Sequence, residues 1–413
     1  MNTIELLAPV GSFAALQGAI DSGTHAIYFG AGNLQMRSKT AAFSLEDIQK
    51  VTTLCHKHKI HAYLTVNTVV YDSDMQAIKT LLTYAKQASI DAIIACDIAV
   101  ITLAREMNIP VHISTQANVS NIEAVKFFSQ FAQCIVLARE LTLTQIQDIC
   151  QQIQKQHICG PNGKLVKIET FIHGALCIAI SGKCHMSLHS YNSSANRGNC
   201  FQACRKSYRV FDSSSNTELE IDNNYVMSPS DLCTLPILDR IIDAGVQVLK
   251  IEGRGRAPEY VKTIVEVYAS ALKHIAQNTY TRDVKDELVT KARTVYNRDF
   301  WMNGYYLGEK ISEWSKEPNS KATKTKSFVG LVENYYQKSQ VAHIILQTGE
   351  VHVGDTLLII GETTGVIEHV IDAMQVNDMS KSSAHKGDFI TFKIATKLRK
   401  NDQAYVYKEK EKN

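Results

Sequence analysis

Residues 91–140 read DAIIACDIAVITLAREMNIPVHISTQANVSNIEAVKFFSQFAQCIVLARE, and two kinds of segment alternate along them. Three short apolar runs, each typical of a buried strand, are separated by the segments IAVITLAREMN and NIEAVKFFSQF, which carry helical periodicity. Strands that alternate with amphipathic helices in this way form parallel sheets through right-handed crossovers. This stretch therefore predicts an α/β fold with a parallel sheet.

The same alternation continues on both sides of this stretch. The predicted strands are IELLAPV, HAIYFG, AYLTVNTVV, DAIIACD, VHISTQANVS, CIVLARE, VKIETFIHG and VQVLKIEGR. Eight such units favour a closed barrel over an open doubly wound sheet. A Gly-rich dinucleotide fingerprint does not follow the first strand, which also weighs against the open sheet. We predict a (β/α)8 TIM-type barrel over about residues 1–310.

Two segments depart from this regular pattern. Residues 174–230, between the seventh and eighth strands, are rich in Cys, Ser, Asn, Gly and Arg, and predict an elaborated loop on the C-terminal face of the barrel. Residues 311–326 include SKEPNSKATKTK and predict a polar, basic linker. The short alternating strands with Gly turns over 327–413 predict an all-β domain, most simply a small barrel.

Composition restricts the class of protein less than the pattern does. The chain has 44 basic and 41 acidic residues, a balance that neither requires nor excludes a nucleic-acid partner. The start MNTIELLAPVGSF predicts no signal peptide, and the absence of a run of 18 apolar residues predicts no membrane partner. Ten cysteines predict the reducing cytoplasm, where clustered thiols usually serve metals or catalysis. The oligomeric state is left open.

Four cysteines cluster in HGALCIAISGKCHMSLHSYNSSANRGNCFQACRKSY with the spacing C-x6-C-x15-C-x3-C. They are Cys177, Cys184, Cys200 and Cys204. Four thiolates suit tetrahedral zinc or a [4Fe–4S] cluster. The spacing lacks the paired C-x2-C knuckles of structural zinc, so we favour the iron–sulfur cluster, with Cys233 as an alternative to Cys204. Ordinary reduced cysteines are the third reading, less favoured because cysteine usually lies in buried regular elements.

Several motifs of this chain resemble peptidase family U32. They are ELLAPVGSFAALQGAIDSG with AIYFG, ETFIHGALCIAISGKC, NRGNCFQACR and LKIEGR. The resemblance extends over essentially the whole chain, including the C-terminal β-domain. The family name records collagenase-type reports, whereas other members are similar in being oxygen-independent hydroxylases with a cysteine-ligated iron–sulfur cluster. Their substrates are wobble uridine in tRNA, ribosomal RNA or ubiquinone precursors, and prephenate is implicated in several branches.

Long members with the extra β-domain look most like the branch that makes 5-hydroxyuridine in tRNA. The resemblance therefore implies a [4Fe–4S] cluster on the four loop cysteines, the tRNA anticodon region as partner, and prephenate as a small carboxylate cosubstrate. The segment HSYNSSANRG departs from the family pattern because it carries fewer charges than the corresponding loop usually does. Substrate contacts in that segment are less firmly implied.

Catalytic groups gather at the C-terminal ends of barrel strands. The candidates there are Asn67, Gln116, Arg139, Glu169, His173, Lys250, Glu252 and Arg254. We predict catalytic roles for the two glutamates, the histidine and the lysine, and substrate binding for the others. Two guanidinium groups, those of Arg139 and Arg254, suit a dicarboxylate such as prephenate. In the structural alternative, Lys250 pairs with Glu252, and Arg254 caps the last helix or pairs with Glu169.

Basic and aromatic residues interleave in NRGNCFQACRKSYR, a composition that suits phosphate contact plus base stacking. The residues are Arg197, Arg205, Lys206, Arg209, Phe201 and Tyr208. A solvated loop flank is the alternative. The linker lysines Lys321, Lys324 and Lys326 predict a second RNA contact next to the β-domain.

Three functions follow from these features, and the leading one is a tRNA uridine hydroxylase. A metal-dependent peptidase comes second: the sequence has no H-E-x-x-H helix and no persuasive Ser/His/Asp grouping, and four thiolates around zinc leave no open position for water. The third is an RNA-binding or maturation factor with a structural metal.

Overall fold

The structure is a computed structural model. It describes residues 4–410 except 37–42, 210, 213, 215–216, 219–224, 226, 303, 309–313 and 316–319. Parts of the predicted Cys-rich loop and of the predicted linker therefore lie outside the described residues.

Among the described residues, twelve strands belong to the first domain. They are β1 (Glu5–Pro9), β2 (Ala26–Phe29), β3 (His61–Val66), β4 (Ala92–Ala95), β5 (Val111–Ile113), β6 (Cys134–Val136), β7 (Lys167–Gly174), β8 (Phe211–Asp212), β9 (Thr217–Glu218), β10 (Asp231–Cys233), β11 (Val248–Ile251) and β12 (Phe300–Trp301). Strands β1 to β7 pair in chain order, and β11 pairs in parallel with both β1 and β7. This closes an eight-stranded parallel barrel and confirms the predicted fold class.

In the part of the chain that the structure describes, ten helices surround or extend this barrel. They are α1 (Phe13–Asp21), α2 (Asp47–Lys57), α3 (Met75–Gln87), α4 (Ile98–Glu106), α5 (Ile122–Ser129), α6 (Leu143–Lys155), α7 (Met186–Tyr191), α8 (Leu238–Asp243), α9 (Pro258–Ala276) and α10 (Arg282–Ala292). Side chains cap several of them: the Ala15 amide donates to Ser12 at the start of α1, and Thr142 with Gln145 forms a capping box on α6. None of the helices in the described ranges is both long and apolar enough to cross a membrane.

Successive side chains along a barrel strand belong to two different buried apolar clusters. On β2, Ile27 and Phe29 pack into the large cluster shared with the helices. The intervening Tyr28 belongs to a second buried cluster, with Tyr63, Cys134 and Val248 from other barrel strands. Because successive side chains of a strand point to opposite faces, this second cluster lies inside the barrel. The interior of the barrel is therefore a packed core of side chains.

Two short strands, β10 and β12, were not predicted. Leu232 of β10 pairs antiparallel with Gly174 of β7, and β12 pairs in parallel with β10. They extend the barrel sheet to ten strands on the side where the Cys-rich loop returns. The chain between β7 and β11 is thus anchored at both ends to the barrel.

The C-terminal domain is all β, as predicted. Its strands are β13 (Lys324–Tyr336), β14 (Val341–Leu346), β15 (Glu350–His352), β16 (Thr356–Gly361), β17 (Gly365–Val370), β18 (Gln375–Val376), β19 (Met379–Ser380), β20 (Ser383–His385), β21 (Phe389–Lys393) and β22 (Gln403–Glu409). Eight strands form one sheet in the order β17-β16-β22-β13-β14-β21-β18-β19, and β15 pairs with β20.

The two domains are in direct contact. Ala14 of α1 is buried against Ile360 and Val366 of the C-terminal domain. An ion pair joins Lys326 Nζ to Glu259 at 2.8 Å. Lys324 and Lys326 both belong to β13, the first strand of the β-domain. Lys326 makes a contact between the two domains and does not lie in an open linker.

Candidate functional site

A cavity of about 240 Å³ opens at the C-terminal ends of the barrel strands. Its floor includes Thr65 of β3, Phe171 of β7 and Lys250 of β11. The Cys-rich loop contributes the opposite wall, including Leu176 and Ser181. The cavity thus forms where parallel strands end, the position at which barrel enzymes bind their substrates.

All four predicted cysteine ligands, Cys177, Cys184, Cys200 and Cys204, line this cavity. Cys177 follows β7, and the other three flank or follow the short helix α7. The chain returns toward the cavity through left-handed backbone positions: Asn192 ends α7 with φ 48°, and Gly198 has φ 90°. Asn and Gly occupy this conformation most readily, so the residue types in the loop match its turns.

The four thiols interact electrostatically. Burial raises the pKa of Cys204, the neighbouring Arg205 guanidinium lowers it, and the Cys177, Cys200 and Cys184 thiols raise it further. The backbone N–H of Gln202 donates to Cys200 Sγ at 3.4 Å. Amide donors to sulfur and a nearby cation are features that stabilise clustered thiolates.

The spacing of these sulfurs bears on which metal group fits. Among the residues that the structure describes, no three of the four sulfurs lie within 4.8 Å of one another. Tetrahedral zinc, with Zn–S bonds of about 2.3 Å, would hold its sulfurs about 3.8 Å apart. The arrangement of these four sulfurs is wider than a closed zinc site.

Cys233, the alternative ligand, lies elsewhere. It is fully buried in β10, and its Cα pairs with that of His173 across β7. Burial raises the pKa of its thiol to about 11, and its side chain contacts Tyr268 in the helix layer. The structure groups Cys204, not Cys233, with the other three loop cysteines.

Cations dominate the charged lining of the cavity. The described lining residues include the cationic side chains of Arg139, Arg205, Lys250, Arg254, Arg256 and Arg298. Glu252 is the one carboxylate among the lining residues that the structure describes. Such a wall favours an anionic ligand, because a low-dielectric cleft strengthens attraction between opposite charges.

The two arginines predicted to bind a carboxylate have different surroundings. Arg254 is buried, and its Nη1 donates to Gln35 Oε1 and to Thr65 Oγ1, both at 2.6 Å; its Nη2 donates to the Met36 carbonyl. It does not pair with Glu169. The Arg139 guanidinium stacks over the Phe171 ring at 4.1 Å. Its Nε is buried without a hydrogen-bond partner among the described residues.

Lys250 and Glu169 form a buried ion pair. The Lys250 Nζ lies 2.6 Å from Glu169 Oε1, and both side chains are almost fully buried. Burial raises the pKa of Glu169, while the Lys250 ammonium lowers it. Lys250 faces the cavity, and Glu169 lies behind it. The structure thus pairs Lys250 with Glu169, and not with Glu252 as in the structural alternative.

His173 lies outside the cavity. Its ring is buried among Tyr260, Tyr268 and Phe300, and its Nδ1 lies 3.3 Å from the Tyr268 hydroxyl. Burial lowers the pKa of this imidazole to about 3. The structure therefore gives His173 a packing environment, whereas Glu252, also predicted to be catalytic, does line the cavity.

Asn67 and Gln116 both reach the cavity. The Asn67 amide donates to Ser114 Oγ at 3.4 Å and to Gln116 Oε1 at 3.3 Å. Its Oδ1 accepts from the Met36 amide at 3.2 Å. The two predicted substrate-binding amides are thus brought together, and they form one polar side of the lining.

The predicted phosphate contacts at Arg197 and Arg205 are engaged within the protein. Arg197 pairs with Asp74, with Nη1–Oδ2 and Nη2–Oδ1 distances of 2.7 and 3.2 Å. Arg205 Nη1 donates to the Pro229 carbonyl and Nη2 to the Leu176 carbonyl, each at 2.5 Å. Both arginines hold the loop in place.

Lys206 differs from these arginines because it is exposed. Its Nζ donates to the Tyr191 hydroxyl at 2.5 Å. The Tyr191 and Phe201 rings stack with centroids 4.8 Å apart, and they are 40% and 44% exposed. We call Tyr191, Phe201 and Lys206 the aromatic rim. It presents flat apolar rings and a cation beside the cysteine loop.

Sequence reasoning missed two cationic residues of the cavity. Arg256 lies two residues beyond Arg254 in GRGR, so the glycine turn after the last barrel strand was the available signal. Arg298 follows α10, and its Nη1 pairs with Asp231 at 3.4 Å. No periodic pattern marks Arg298, because it belongs to the chain that comes after the eight barrel units.

Comparisons with known proteins agree with the motifs. The model of "Peptidase family U32" matches residues 11–316. A Porphyromonas gingivalis protein named collagenase is 43% identical over 100% of this chain and 99% of its own length. A Bacillus subtilis tRNA hydroxylation protein P1 is 29% identical, covering 95% of this chain and 92% of that protein. An Escherichia coli 23S rRNA 5-hydroxycytidine synthase is 36% identical, covering 67% of this chain and 40% of that protein.

The matched region holds the whole barrel from α1 onward together with the four loop cysteines. The full-length relatives also cover the β-domain. This chain therefore belongs to peptidase family U32.

Proposed function

We propose that this chain hydroxylates a pyrimidine of RNA, with wobble uridine of tRNA as the substrate and a [4Fe–4S] cluster as the cofactor. The observation that carries the proposal is the convergence of the four loop cysteines on the same cavity as the cationic strand-end residues. Relatives named for tRNA hydroxylation and for 5-hydroxycytidine synthesis in rRNA support the substrate class.

Cys177, Cys184, Cys200 and Cys204 would hold the cluster. When bound, such a cluster supplies one-electron transfer. The protein's own part is electrostatic: the Arg205 guanidinium stands next to the thiolates, and the Gln202 amide donates to Cys200 Sγ. Both features favour the deprotonated cysteines that a cluster requires.

The cationic lining would bind the cosubstrate. Replacing a base C–H by C–OH is a two-electron oxidation, so the cosubstrate would have to donate the oxygen atom and take up both electrons itself. A small carboxylate such as prephenate fits a wall that contains Arg139 and Arg254. The Arg139 Nε, buried without a partner in the described residues, is a donor that a carboxylate would satisfy.

The aromatic rim would contact the RNA. Enzymes that modify a base take it out of its stack, and exposed aromatic rings then support the neighbouring bases. The stacked Tyr191 and Phe201 rings with the Lys206 ammonium provide this combination next to the cavity mouth. The predicted phosphate contacts are thereby narrowed to Lys206 and the exposed Arg209, since Arg197 and Arg205 are engaged internally.

A collagenase-type peptidase is the second candidate, and the name of the P. gingivalis relative favours it. Hydrolysis needs a nucleophile or a water next to a general base. Among the cavity-lining residues that the structure describes there is no histidine, and Glu252 is the one carboxylate. The lining is therefore better suited to an anionic ligand than to peptide hydrolysis.

Nucleoside mass spectrometry of tRNA tests the proposal. A strain that lacks this gene should lose 5-hydroxyuridine and its derivatives. The wild-type gene should restore them, whereas the Cys184→Ser gene should not, and the purified Cys184→Ser protein should have lost its iron. Cys55→Ser, in the core of α2, is the matched control and should restore the modification.

Two outcomes would count against this assignment. Unchanged tRNA in the deletion strain, with loss of a hydroxylated base from 23S rRNA, would move the substrate to ribosomal RNA. Unchanged RNA of both kinds, together with cleavage of a collagen peptide by the purified protein, would favour the peptidase.

A further inference from the structure

A second group of metal-binding side chains lies inside the barrel. It consists of His112 on β5, Cys134 on β6 and Glu169 on β7, and we call it the barrel-core triad. These strands are consecutive neighbours in the sheet, and His112 pairs directly with Cys134. Glu169 pairs with Val136, two residues beyond Cys134, so all three side chains point to the barrel interior.

The three side chains converge closely. One ligand atom from each lies within 4.8 Å of the other two. The Cys134 Sγ is 3.7 Å from Glu169 Oε2, and exposure is 4% for His112 and 0% for Cys134 and Glu169. Unlike the loop cysteines, these atoms are close enough for a single ion to contact all three, with bonds of about 2.0–2.3 Å.

An unsatisfied nitrogen points to a ligand at this place. The His112 Nδ1 is buried and has no hydrogen-bond partner among the described residues. Buried polar atoms without partners are rare and costly, at about 1–3 kcal/mol each. A metal ion is a partner that imidazole nitrogen accepts readily, and it would replace the missing hydrogen bond.

We propose that the barrel-core triad binds one divalent metal ion of the zinc type. A nitrogen, a thiolate and a carboxylate suit a borderline-soft ion, and zinc takes this mixed ligand set. The Cys134 thiolate and the Glu169 carboxylate would balance the two charges of the ion. Lys250 Nζ holds the other carboxylate oxygen, Oε1, at 2.6 Å and so orients Glu169 from the cavity side.

This site is distinct from the one formed by the loop cysteines. Lys250 lines the cavity, and Glu169 lies behind it on β7, so the triad begins one side chain below the cavity floor. The loop cysteines stand on the opposite wall. The two groups would therefore load with metal independently of each other.

Metal analysis in a background without the loop cysteines tests the proposal. The full-length protein with Cys177, Cys184, Cys200 and Cys204 all changed to Ser would be equilibrated with micromolar Zn2+ under anaerobic conditions and desalted. About one zinc per chain should remain. Adding Cys134→Ala should remove it, whereas adding Cys55→Ala, at another fully buried thiol, should not.

A second measurement covers the case in which the quadruple variant does not fold. In the otherwise unchanged chain, Cys134→Ala should bind one Co2+ fewer than Cys55→Ala, with loss of one thiolate-to-cobalt absorption band. Equal metal content in the Cys134→Ala and Cys55→Ala proteins, in a background in which both are folded, would overturn the proposal. The barrel-core triad would then be metal-free, with Cys134 and Lys250 hydrogen-bonded to Glu169.

Discussion

Arg205 and Lys206 are adjacent in the chain, but the Arg205 side chain forms hydrogen bonds within the protein and the Lys206 side chain is exposed. The Arg205 guanidinium donates to Ser228 Oγ at 2.9 Å and to the carbonyls of Pro229 and Leu176. It joins the start of the Cys-rich loop to the chain that enters β10. Lys206 is exposed, and its ammonium contacts the ring and the hydroxyl of Tyr191.

The Arg205→Met protein should be less stable than the wild type by about 3 kcal/mol. Without the Arg205 guanidinium, two buried carbonyls and a hydroxyl lack their hydrogen-bond donor, and each unsatisfied buried group costs about 1–3 kcal/mol. Urea unfolding measures the change. Lys206→Met is the matched control and should shift the free energy of unfolding by no more than about 0.5 kcal/mol. Equal shifts in the two variants would show that Arg205 does not anchor the loop.

The Cys-rich loop is an element with little regular structure of its own. Its one α-helix, α7, spans six residues, and short turns at Ala195–Arg197 and Ala203–Arg205 provide the remaining helical structure among the described residues. The loop is positioned by contacts to barrel strand ends, such as the hydrogen bond from the Asn118 side chain to the Ser181 carbonyl at 3.0 Å. Small changes at these contacts should displace the cysteines.

Gly182→Ala should reduce the iron content of anaerobically purified protein by more than half. Gly182 has φ +72°, and an added Cβ would stand 2.9 Å from Gln116 Cγ, so the loop must move away from the strand end. Gly163→Ala is a closely matched control: its φ is +71°, but nothing lies within 4 Å of the added Cβ. Both variants bear the backbone strain of about 1 kcal/mol, whereas the clash is specific to Gly182. Equal iron content in the two would contradict this account.

The regular elements were predictable because their patterns are local. The eight barrel strands follow from apolar runs between amphipathic segments. Strand β10 has three residues, Asp231–Cys233, and its pairing with β7 is nonlocal. A stretch that short carries no periodicity, so its position depends on packing that the sequence does not display.

The candidate site was predictable in residue type more than in contacts. The cysteine spacing and the strand ends named the four cysteines and six other residues that line the cavity. The acceptors of the arginines could not be predicted from the sequence, because partners such as Asp74 and Arg197 are 123 positions apart in the chain. The burial of His173 was equally hidden, because it depends on Tyr268 and Phe300 from later elements.

At the scale of the whole molecule, the β-domain packs against helices α1 and α9 of the barrel domain. Ala14 on α1 packs against Ile360 and Val366, while Lys326 pairs with Glu259 on α9. These contacts are apolar at the centre and ionic at the side, so the two domains should unfold together.

Ala14→Asp should separate the unfolding of the two domains. A carboxylate placed among Leu358, Ile360 and Val366 is buried without a partner, which costs several kcal/mol at the interface and little elsewhere. Differential scanning calorimetry should show two transitions in place of one. Thr102→Asp, on the exposed side of α4, is the control and should keep a single transition. A single transition in the Ala14→Asp protein would mean that the domain contact is energetically minor.

The closure of the barrel by β11 also has a consequence for synthesis on the ribosome. Strand β11, which pairs with β1, is synthesised about 240 residues after β1. At ordinary translation rates this interval lasts roughly 10–50 s. The loop cysteines emerge before that strand does. For the cluster proposed above, iron delivered to the nascent chain would meet an open sheet, whereas iron delivered afterwards would have to enter a finished cavity.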